Sequence, residues 1–341
     1  MTPMEKLLAS GRKGLADGFG RQITYLRMSV TDRCDFRCRY CMTEKMQFLP
    51  KREILTIEEM AALADAFIAR GIRTIRLTGG EPLVRRGIEQ LVHLIGSRIG
   101  KGIDELTITT NGSQLRRHAP ALAAAGVRRI NVSMDSLDSD RFAFITRGGD
   151  LAVVLDGIAA AREAGLSIKI NMVGLKGLNE AEIEPMLRWC AAEGHDLTLI
   201  ETMPLGEIED DRTDRYLPLD AVRRELEDRF TLRPVDFRTG GPARYVRVEE
   251  LGARLGFITP LTNNFCDGCN RVRVTATGQI YMCLGHEDRL DLRRALREGE
   301  PGELDRLLDR AMRLKPERHA FRIDRPGEAP SVSRHMSVTG G

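Results

Sequence analysis

Three cysteines fall within eight residues near the start of the chain, in residues 33–42, RCDFRCRYCM, at the spacing C-x3-C-x2-C (Cys34, Cys38, Cys41). Thiolates are ligands of zinc and of iron–sulfur clusters, and gaps of two and three residues let one short loop turn its sulfurs towards a single centre. A closed zinc site takes four protein ligands, and no fourth Cys or His lies within twenty residues on either side. The loop therefore supplies three ligands and leaves one coordination position open, as catalytic metal sites do. The same spacing also admits a zinc site completed from a distance, or three unrelated core cysteines.

A second triplet lies far along the chain. Residues 265–274 read FCDGCNRVRV, followed by the turn Thr277-Gly278 and residues 279–283, QIYMC. The alternation in Arg271-Val272-Arg273-Val274 and Ile280-Tyr281-Met282 predicts a hairpin that returns Cys283 to Cys266 and Cys269. This C-x2-C-x13-C set is again one ligand short of a closed zinc centre. Arg271 and Arg273 share one face of their strand, either as a solvated edge or, beside a metal site, as an anion clamp. The remaining cysteine, Cys190, follows Trp189 in a helical stretch and reads as a small buried hydrophobe.

The elements that must position these residues alternate strand and helix. Residues 24–30 (TYLRMSV) predict a strand ending at the Thr31-Asp32 turn that delivers the first cysteine loop. Thr56 with Glu59 three residues on is a capping-box signature that opens a helix to Ala69, and Gly71 stops it. Further strands are predicted at 73–78, 104–109, 127–133, 166–173 and 196–202, with helices near 86–99, 114–125, 151–164 and 180–193. Such alternation implies parallel strands with right-handed crossovers. Six units suit an α/β fold of the incomplete (β/α)6 TIM-like barrel type, whose chemistry gathers at the C-terminal strand ends.

Those ends are polar: Thr78-Gly79-Gly80-Glu81-Pro82, Thr109-Thr110-Asn111-Gly112, Ser133-Met134-Asp135-Ser136 and Glu201-Thr202-Met203. Any one is ordinary turn composition, but together, after a cysteine loop, they describe a ring-shaped site. The paired glycines Gly79 and Gly80 would allow close backbone approach to a ligand. Arg76 and Lys169 stand between apolar neighbours on strands covered on both faces. Each is either part of a structural ion pair, a snorkelling cation, or a cation facing an anion in the barrel lumen.

From about residue 214 the rhythm changes to a helix near 218–229, strands at 232–238, 243–248 and 253–259, and the hairpin of the second triplet. The expected division is an N-terminal arm (1–20), a partial barrel (21–213) and a C-terminal module (214–341) carrying the second triplet. The last residues, 335–341, read by default as a frayed tail.

Composition bounds the rest. Among 341 residues, 42% are hydrophobic and 30% charged, which describes a soluble globular protein, and no apolar run reaches the eighteen residues of a membrane span. The N-terminus lacks the pattern of a signal peptide, so a cytoplasmic protein without membrane attachment is expected. Seven cysteines in a reducing compartment favour metal binding over disulfides. A net charge of +3 does not imply nucleic acid, and any anionic ligand must be argued from local clusters of Arg and Lys.

A C-x3-C-x2-C loop containing Tyr40, followed by GGEP on the next strand of a partial barrel, resembles the radical S-adenosylmethionine (SAM) superfamily. With the second triplet, residues 270–274 (NRVRV) and the terminal Gly340-Gly341, residues 19–341 are similar to one family within it, the GTP 3′,8-cyclases of molybdenum cofactor biosynthesis. The resemblance implies a 4Fe-4S cluster on Cys34, Cys38 and Cys41, with its open iron chelated by SAM. Tyr40, Gly80, Ser133 and Met203 match further SAM contacts. A second 4Fe-4S cluster on Cys266, Cys269 and Cys283 would hold the guanine of GTP, and Arg27, Arg76, Thr109, Lys169, Arg271, Val272 and Arg273 match GTP-binding positions. Arg271 and Arg273 are also implied in catalysis. A triphosphate would give the buried cations their anion, through charge-assisted hydrogen bonds of about 1.5–3 kcal/mol each.

The implied reaction is that of a lyase: an electron delivered to the first cluster cleaves SAM, a hydrogen leaves the ribose C3′ of GTP, and C3′ joins guanine C8 to give 3′,8-cyclo-7,8-dihydro-GTP. The implied partners are SAM, GTP, an electron donor and the next enzyme of the pathway, cyclic pyranopterin monophosphate synthase; a homodimer is left open. The resemblance also places the Gly340-Gly341 tail in the active site. Three positions depart from the family pattern: Asp35 where Asn is usual, Thr198 where Arg is frequent, and Thr339 where Ile is usual. Two other readings remain at this stage: a radical SAM enzyme with an auxiliary cluster modifying a peptide, and a zinc-braced scaffold without catalysis.

Overall fold

The computed structural model describes residues 14–209, 212–323 and 329–340. Six parallel strands form its centre: β1 (Tyr25–Ser29), β2 (Thr74–Thr78), β3 (Glu105–Thr110), β4 (Arg129–Ser133), β5 (Ser167–Val173) and β6 (Asp196–Ile200), each paired with the next. The crossovers carry helices Ile57–Ala69, Ile88–Gly96, Leu115–Ala124, Leu151–Glu163 and Ile183–Ala192. This is the expected incomplete barrel, a curled sheet with helices on its outer face. The predicted capping box is present: the Thr56 hydroxyl accepts from Glu59 N at 3.2 Å and the Glu59 carboxylate accepts from Thr56 N at 2.7 Å. Gly71, at φ 92°, adopts the left-handed turn that ends the segment.

One helix was not legible in the strand–helix rhythm. Ser139–Thr146 sits between β4 and the next crossover helix, started by the Asp138 carboxylate accepting from Arg141 N at 2.8 Å. Its C-terminal end braces the first cysteine loop, because Arg37 N donates to Thr146 O at 2.9 Å and Arg39 N to Ile145 O at 3.0 Å. Phe36 of the loop packs edge-on against Phe142, with ring centroids 5.9 Å apart.

The segment after residue 214 does not build a sheet of its own. β7 (Leu232–Pro234), β8 (Arg244–Val248) and β9 (Ala253–Ile258) join through β9, parallel to β6. β10 (Arg271–Val274), β11 (Gln279–Tyr281) and β12 (Arg289–Asp291) join through β10, parallel to β1. The result is one twelve-stranded sheet in the order β12-β11-β10-β1-β2-β3-β4-β5-β6-β9-β8-β7. A six-stranded partial barrel leaves unpaired N–H and C=O groups on β1 and β6, and the later strands satisfy both edges. A single apolar core runs through the early and late strands, with Val272 and Ile280 in the same cluster as Leu26 and Leu77. No helix among the described residues is long and apolar enough to cross a membrane.

Candidate active site

Strand register sets the cations. Parallel pairing places Arg27 of β1 level with Arg76 of β2 on one side and with Arg273 of β10 on the other. Lys169 of β5 lies level with Asn131 of β4. Arg271 is two residues before Arg273, on the same face. All five cations line one cavity. Arg27 is 7% exposed, Arg76 5%, Lys169 3% and Arg273 7%. Among the described residues none of the five is paired with a carboxylate, and Nε and Nη2 of both Arg27 and Arg76, with Nε of Arg271, are buried without a hydrogen-bond partner. Lys169 donates to the Tyr245 hydroxyl at 2.9 Å, and Arg273 donates to the Gly340 carbonyl at 2.6 Å.

Burial and mutual repulsion act on these groups together. Desolvation, then Arg273 and Arg76, hold the Arg27 guanidinium well below its ordinary range. Burial, then Arg76, lowers the Lys169 ammonium in the same way. Arg273 is pushed down to about 9 by burial and then by Arg271 and Arg334. A cavity of this kind is costly empty and favourable once a polyanion enters.

The first cysteine triplet borders an adjoining cavity at the C-terminal strand ends. Cys34, Cys38 and Cys41 all face it, with Tyr40, Gly80, Thr109 and Ser133. Asn171, Ile200, Met203 and Met336 line both cavities, so the two meet at these side chains. Cys41 N donates to Cys38 O at 2.9 Å, a tight turn that brings their sulfurs to one side. Burial raises all three thiols, Cys41 to about 12. They are poor ligands as thiols, so their ionisation belongs with the arrival of a cationic centre.

Two buried carboxylates tie the loop to the strands. The Tyr40 hydroxyl donates to Asp135 at 2.8 Å, and Asp135 also accepts from Val173 N at 2.8 Å. Burial pushes Asp135 up to about 6. Glu81 accepts from Leu83 N at 2.9 Å, Asn111 N at 2.6 Å and Thr110 Oγ1 at 2.8 Å, which locks the ends of β2 and β3 together. Its carboxyl, driven by burial, rises to about 7.

The glycines of the β2 end serve the loop. A Cβ on Gly80 would stand 2.3 Å from Arg33 O, and one on Gly79 2.5 Å from Thr31 O. Gly80 N donates to Thr31 O at 2.9 Å and Glu81 N to Arg33 O at 2.8 Å. The close backbone approach expected for a ligand is thus used by the cysteine loop itself.

Cys266, Cys269 and Cys283 line the cationic cavity, brought together by the β10–β11 hairpin as the alternation predicts. Burial raises Cys266 and Cys283. At Cys269 burial acts in the same direction, but Lys315 and Arg271 outweigh it and the thiol falls below its usual value. Among the described residues no three of His, Cys, Asp and Glu are drawn together as a preformed single-ion site. What fits either triplet is a centre accepting three soft sulfur ligands and keeping one position open to the cavity.

Two expected contacts land differently. Thr109, matched to GTP, lines the cavity of the first triplet, with its buried Oγ1 unpartnered among the described residues. Val272 is fully buried in the apolar core, because alternation turns it away from Arg271 and Arg273, so any contact from it must come through its main chain. Asp35 points its carboxylate to Asn111 Nδ2 at 2.7 Å and Ser113 Oγ at 2.5 Å, linking the loop to the β3 end. Cys190 is fully buried in the core, as expected. Sequence reasoning missed Asn131 and Asn171, which line the cationic cavity. The signal for Asn171 was its two-residue spacing from Lys169 on one strand face.

A curled parallel sheet with an open-ended cysteine loop after its first strand defines the radical SAM class, and the family model described as the Radical SAM superfamily matches residues 28–190. The model described as Molybdenum Cofactor Synthesis C matches residues 195–321. The GTP 3′,8-cyclase of Rhizobium etli (strain CIAT 652) is 60% identical over 98% of this chain and 96% of its own length. That of Erythrobacter litoralis (strain HTCC2594) is 62% identical over 96% of this chain and 98% of its own. The chain belongs to the GTP 3′,8-cyclase family of radical SAM proteins. Membership of the superfamily implies a 4Fe-4S cluster and SAM. Among solved structures, Streptococcus suis SuiB bound to S-adenosylmethionine superposes with a TM-score of 0.62 at 17% identity, covering 84% of this chain and 66% of its own, a likeness of fold alone.

Proposed function

We propose that this chain converts GTP to 3′,8-cyclo-7,8-dihydro-GTP in the first step of molybdenum cofactor biosynthesis. The observation that carries the reading is the set of five cations, Arg27, Arg76, Lys169, Arg271 and Arg273, around one cavity with no carboxylate among the described residues to pair them. A triphosphate, with about four negative charges, is the ligand that matches them; each charge-assisted bond to a guanidinium contributes about 1.5–3 kcal/mol.

In this reading Cys34, Cys38 and Cys41 hold a 4Fe-4S cluster, and Tyr40, Gly80, Ser133 and Met203 position SAM beside it. Cys266, Cys269 and Cys283 hold a second 4Fe-4S cluster near the guanine. The bound cluster and SAM supply, on one-electron reduction, a carbon-centred radical able to take a hydrogen atom from the sugar. The chain's own residues then have distinct tasks. Arg27, Arg76 and Lys169 fix the triphosphate, so that the ribose lies towards the cavity of the first triplet. Arg271 and Arg273 hold the nucleotide against the second triplet, with Val272 contributing through its main chain and Thr109 offering its free hydroxyl from the first cavity. Ile200, Met203 and Met336, where the two cavities join, exclude water from the reacting centre. Arg273 also grips Gly340, which draws the C-terminal tail to the cationic wall; Gly341 lies outside the described residues. Residues 21–213 act as the radical-generating part and also supply the triphosphate-binding cations Arg27, Arg76 and Lys169, while 214–341 supply the second triplet with Arg271 and Arg273. An electron donor supplies two electrons per turnover, one for the cleavage of SAM and one, with a proton, to complete the 7,8-dihydro product after the C3′–C8 bond forms, and the next enzyme, cyclic pyranopterin monophosphate synthase, takes the product.

The test is anaerobic turnover of the reconstituted protein with SAM, reductant and GTP, with the product identified by mass spectrometry and NMR. A GTP isomer carrying a C3′–C8 bond is expected. SAM cleavage with GTP recovered unchanged would overturn the reading.

A further inference from the structure

Each cysteine of the second triplet is met by a cation from a distant part of the chain. Arg21 Nη1 donates to the Cys266 carbonyl at 2.8 Å, Lys315 Nζ to Cys269 Sγ at 3.5 Å, and Arg334 Nη2 to the Cys283 carbonyl at 3.3 Å. Charge balance separates the three. Arg21 is neutralised by Asp17 at 2.6 Å and Arg334 by Glu287 at 3.0 Å. Among the described residues Lys315 has no carboxylate partner, although it is only 3% exposed.

The other contacts of Lys315 fix it in place. Following the helix Glu303–Leu314, it donates to Arg271 O at 3.0 Å and to Met282 O at 2.7 Å. An ammonium has three protons, and these two carbonyls and the Cys269 sulfur account for all of them. The carbonyls belong to the first residue of β10, two residues after Cys269, and to the residue before Cys283, so one side chain ties the Cys269 sulfur to the backbone that carries Cys269 and Cys283. A buried cation needs a compensating partner, and a cluster held by three cysteine sulfurs would supply it at the Cys269 contact. Hydrogen bonds to ligand sulfurs and nearby charge are what tune the reduction potential of an iron–sulfur cluster.

Resting on the reading of Cys266, Cys269 and Cys283 as ligands of a second cluster, we propose that Lys315 is a positioning residue of that cluster, holding the Cys269 sulfur as a ligand and favouring the reduced state through its fixed charge. Lys315→Met keeps the length and apolar stem but removes the charge and donors; Lys315→Arg keeps both. The experiment is anaerobic iron quantification and an EPR-monitored redox titration of the reconstituted full chain in its unsubstituted, Lys315→Met and Lys315→Arg forms, with the first cluster as internal reference. A more negative midpoint for the second cluster in Lys315→Met, restored in Lys315→Arg with the first cluster unmoved, is expected. Loss of the second cluster from Lys315→Met alone supports the same charge requirement. An unmoved midpoint in Lys315→Met, an equal shift in both variants, or loss of the cluster from both, overturns the proposal and leaves Lys315 a packing residue. An unsubstituted protein holding only about four irons would instead sink the underlying reading of the triplet.

Discussion

Arg27 and Arg76 lie level on adjacent parallel strands, both buried, each with two guanidinium nitrogens that find no partner among the described residues. Like charges side by side in a low-dielectric interior oppose folding, and their retention makes sense only against a ligand. Arg76→Met should therefore stabilise the ligand-free protein by roughly 1 kcal/mol or more, as replacing buried unpaired charge by apolar volume does. The same change should weaken GTP binding at least about tenfold, through loss of a charge-assisted bond of about 1.5–3 kcal/mol. Denaturant unfolding and anaerobic nucleotide binding check the two halves, and a destabilised variant with unchanged GTP affinity would contradict both.

The two triplets should fail in different ways. Cys38→Ala is expected to abolish SAM cleavage and product together, whereas Cys283→Ala should retain SAM cleavage and lose the cyclised nucleotide. Quantifying 5′-deoxyadenosine and the GTP-derived product in parallel distinguishes them. Normal product from Cys283→Ala would remove the second triplet from the site.

Gly80→Ala tests the approach of β2 to the cysteine loop. The added Cβ would meet Arg33 O at 2.3 Å, a contact with backbone that no rotamer can relieve. The loop must shift, so with the two clusters proposed above the variant is expected to hold about four irons per chain against about eight in the unsubstituted protein, the proposed second cluster surviving. Equal iron content in both would show that the loop tolerates the displacement.

His195 supplies a pH signature away from both triplets. It is buried, its Nε2 has no partner among the described residues, and its ring packs edge-on to Trp189 with centroids 5.5 Å apart. Burial, then Arg162, lowers its pKa below the ordinary 6.5. The folded state therefore binds fewer protons than the unfolded state just below pH 6.5, and stability falls as pH drops through that window, with no effect above it. The slope stays within the one-proton limit of about 1.4 kcal/mol per pH unit. Subtracting the stability–pH profile of His195→Phe from that of the unsubstituted protein should reveal it; parallel profiles would assign the acid sensitivity elsewhere.

The strand–helix rhythm was legible because each parallel strand is apolar on its outer face and each crossover helix has its own start and stop chemistry, as at Thr56, Glu59 and Gly71. The cations were legible for the same reason, since Arg76 and Lys169 interrupt apolar strands. Less was visible where the answer depends on residues distant in sequence. β10 and β9 look like parts of a separate module until the open edges of β1 and β6 are seen to need them. Lys315 follows an exposed amphipathic helix and carries no local sign that its ammonium turns inward to Cys269. Gly79 and Gly80 announced a close approach but not its partner, and the partner is the backbone at Thr31 and Arg33. The helix Ser139–Thr146 was hidden behind a strand end rich in turn residues, although Asp138 is a sound cap for it.

The central claim is that the cavity walled by Arg27, Arg76, Lys169, Arg271 and Arg273 is a triphosphate site. Anaerobic equilibrium binding of GTP and of guanosine to the reconstituted protein measures it most directly. Two or more charge-assisted bonds of about 1.5–3 kcal/mol each predict that GTP binds at least about a hundredfold more tightly than guanosine, with the difference shrinking in Arg76→Met. Equal affinity for the two, or no binding of GTP, would contradict the account.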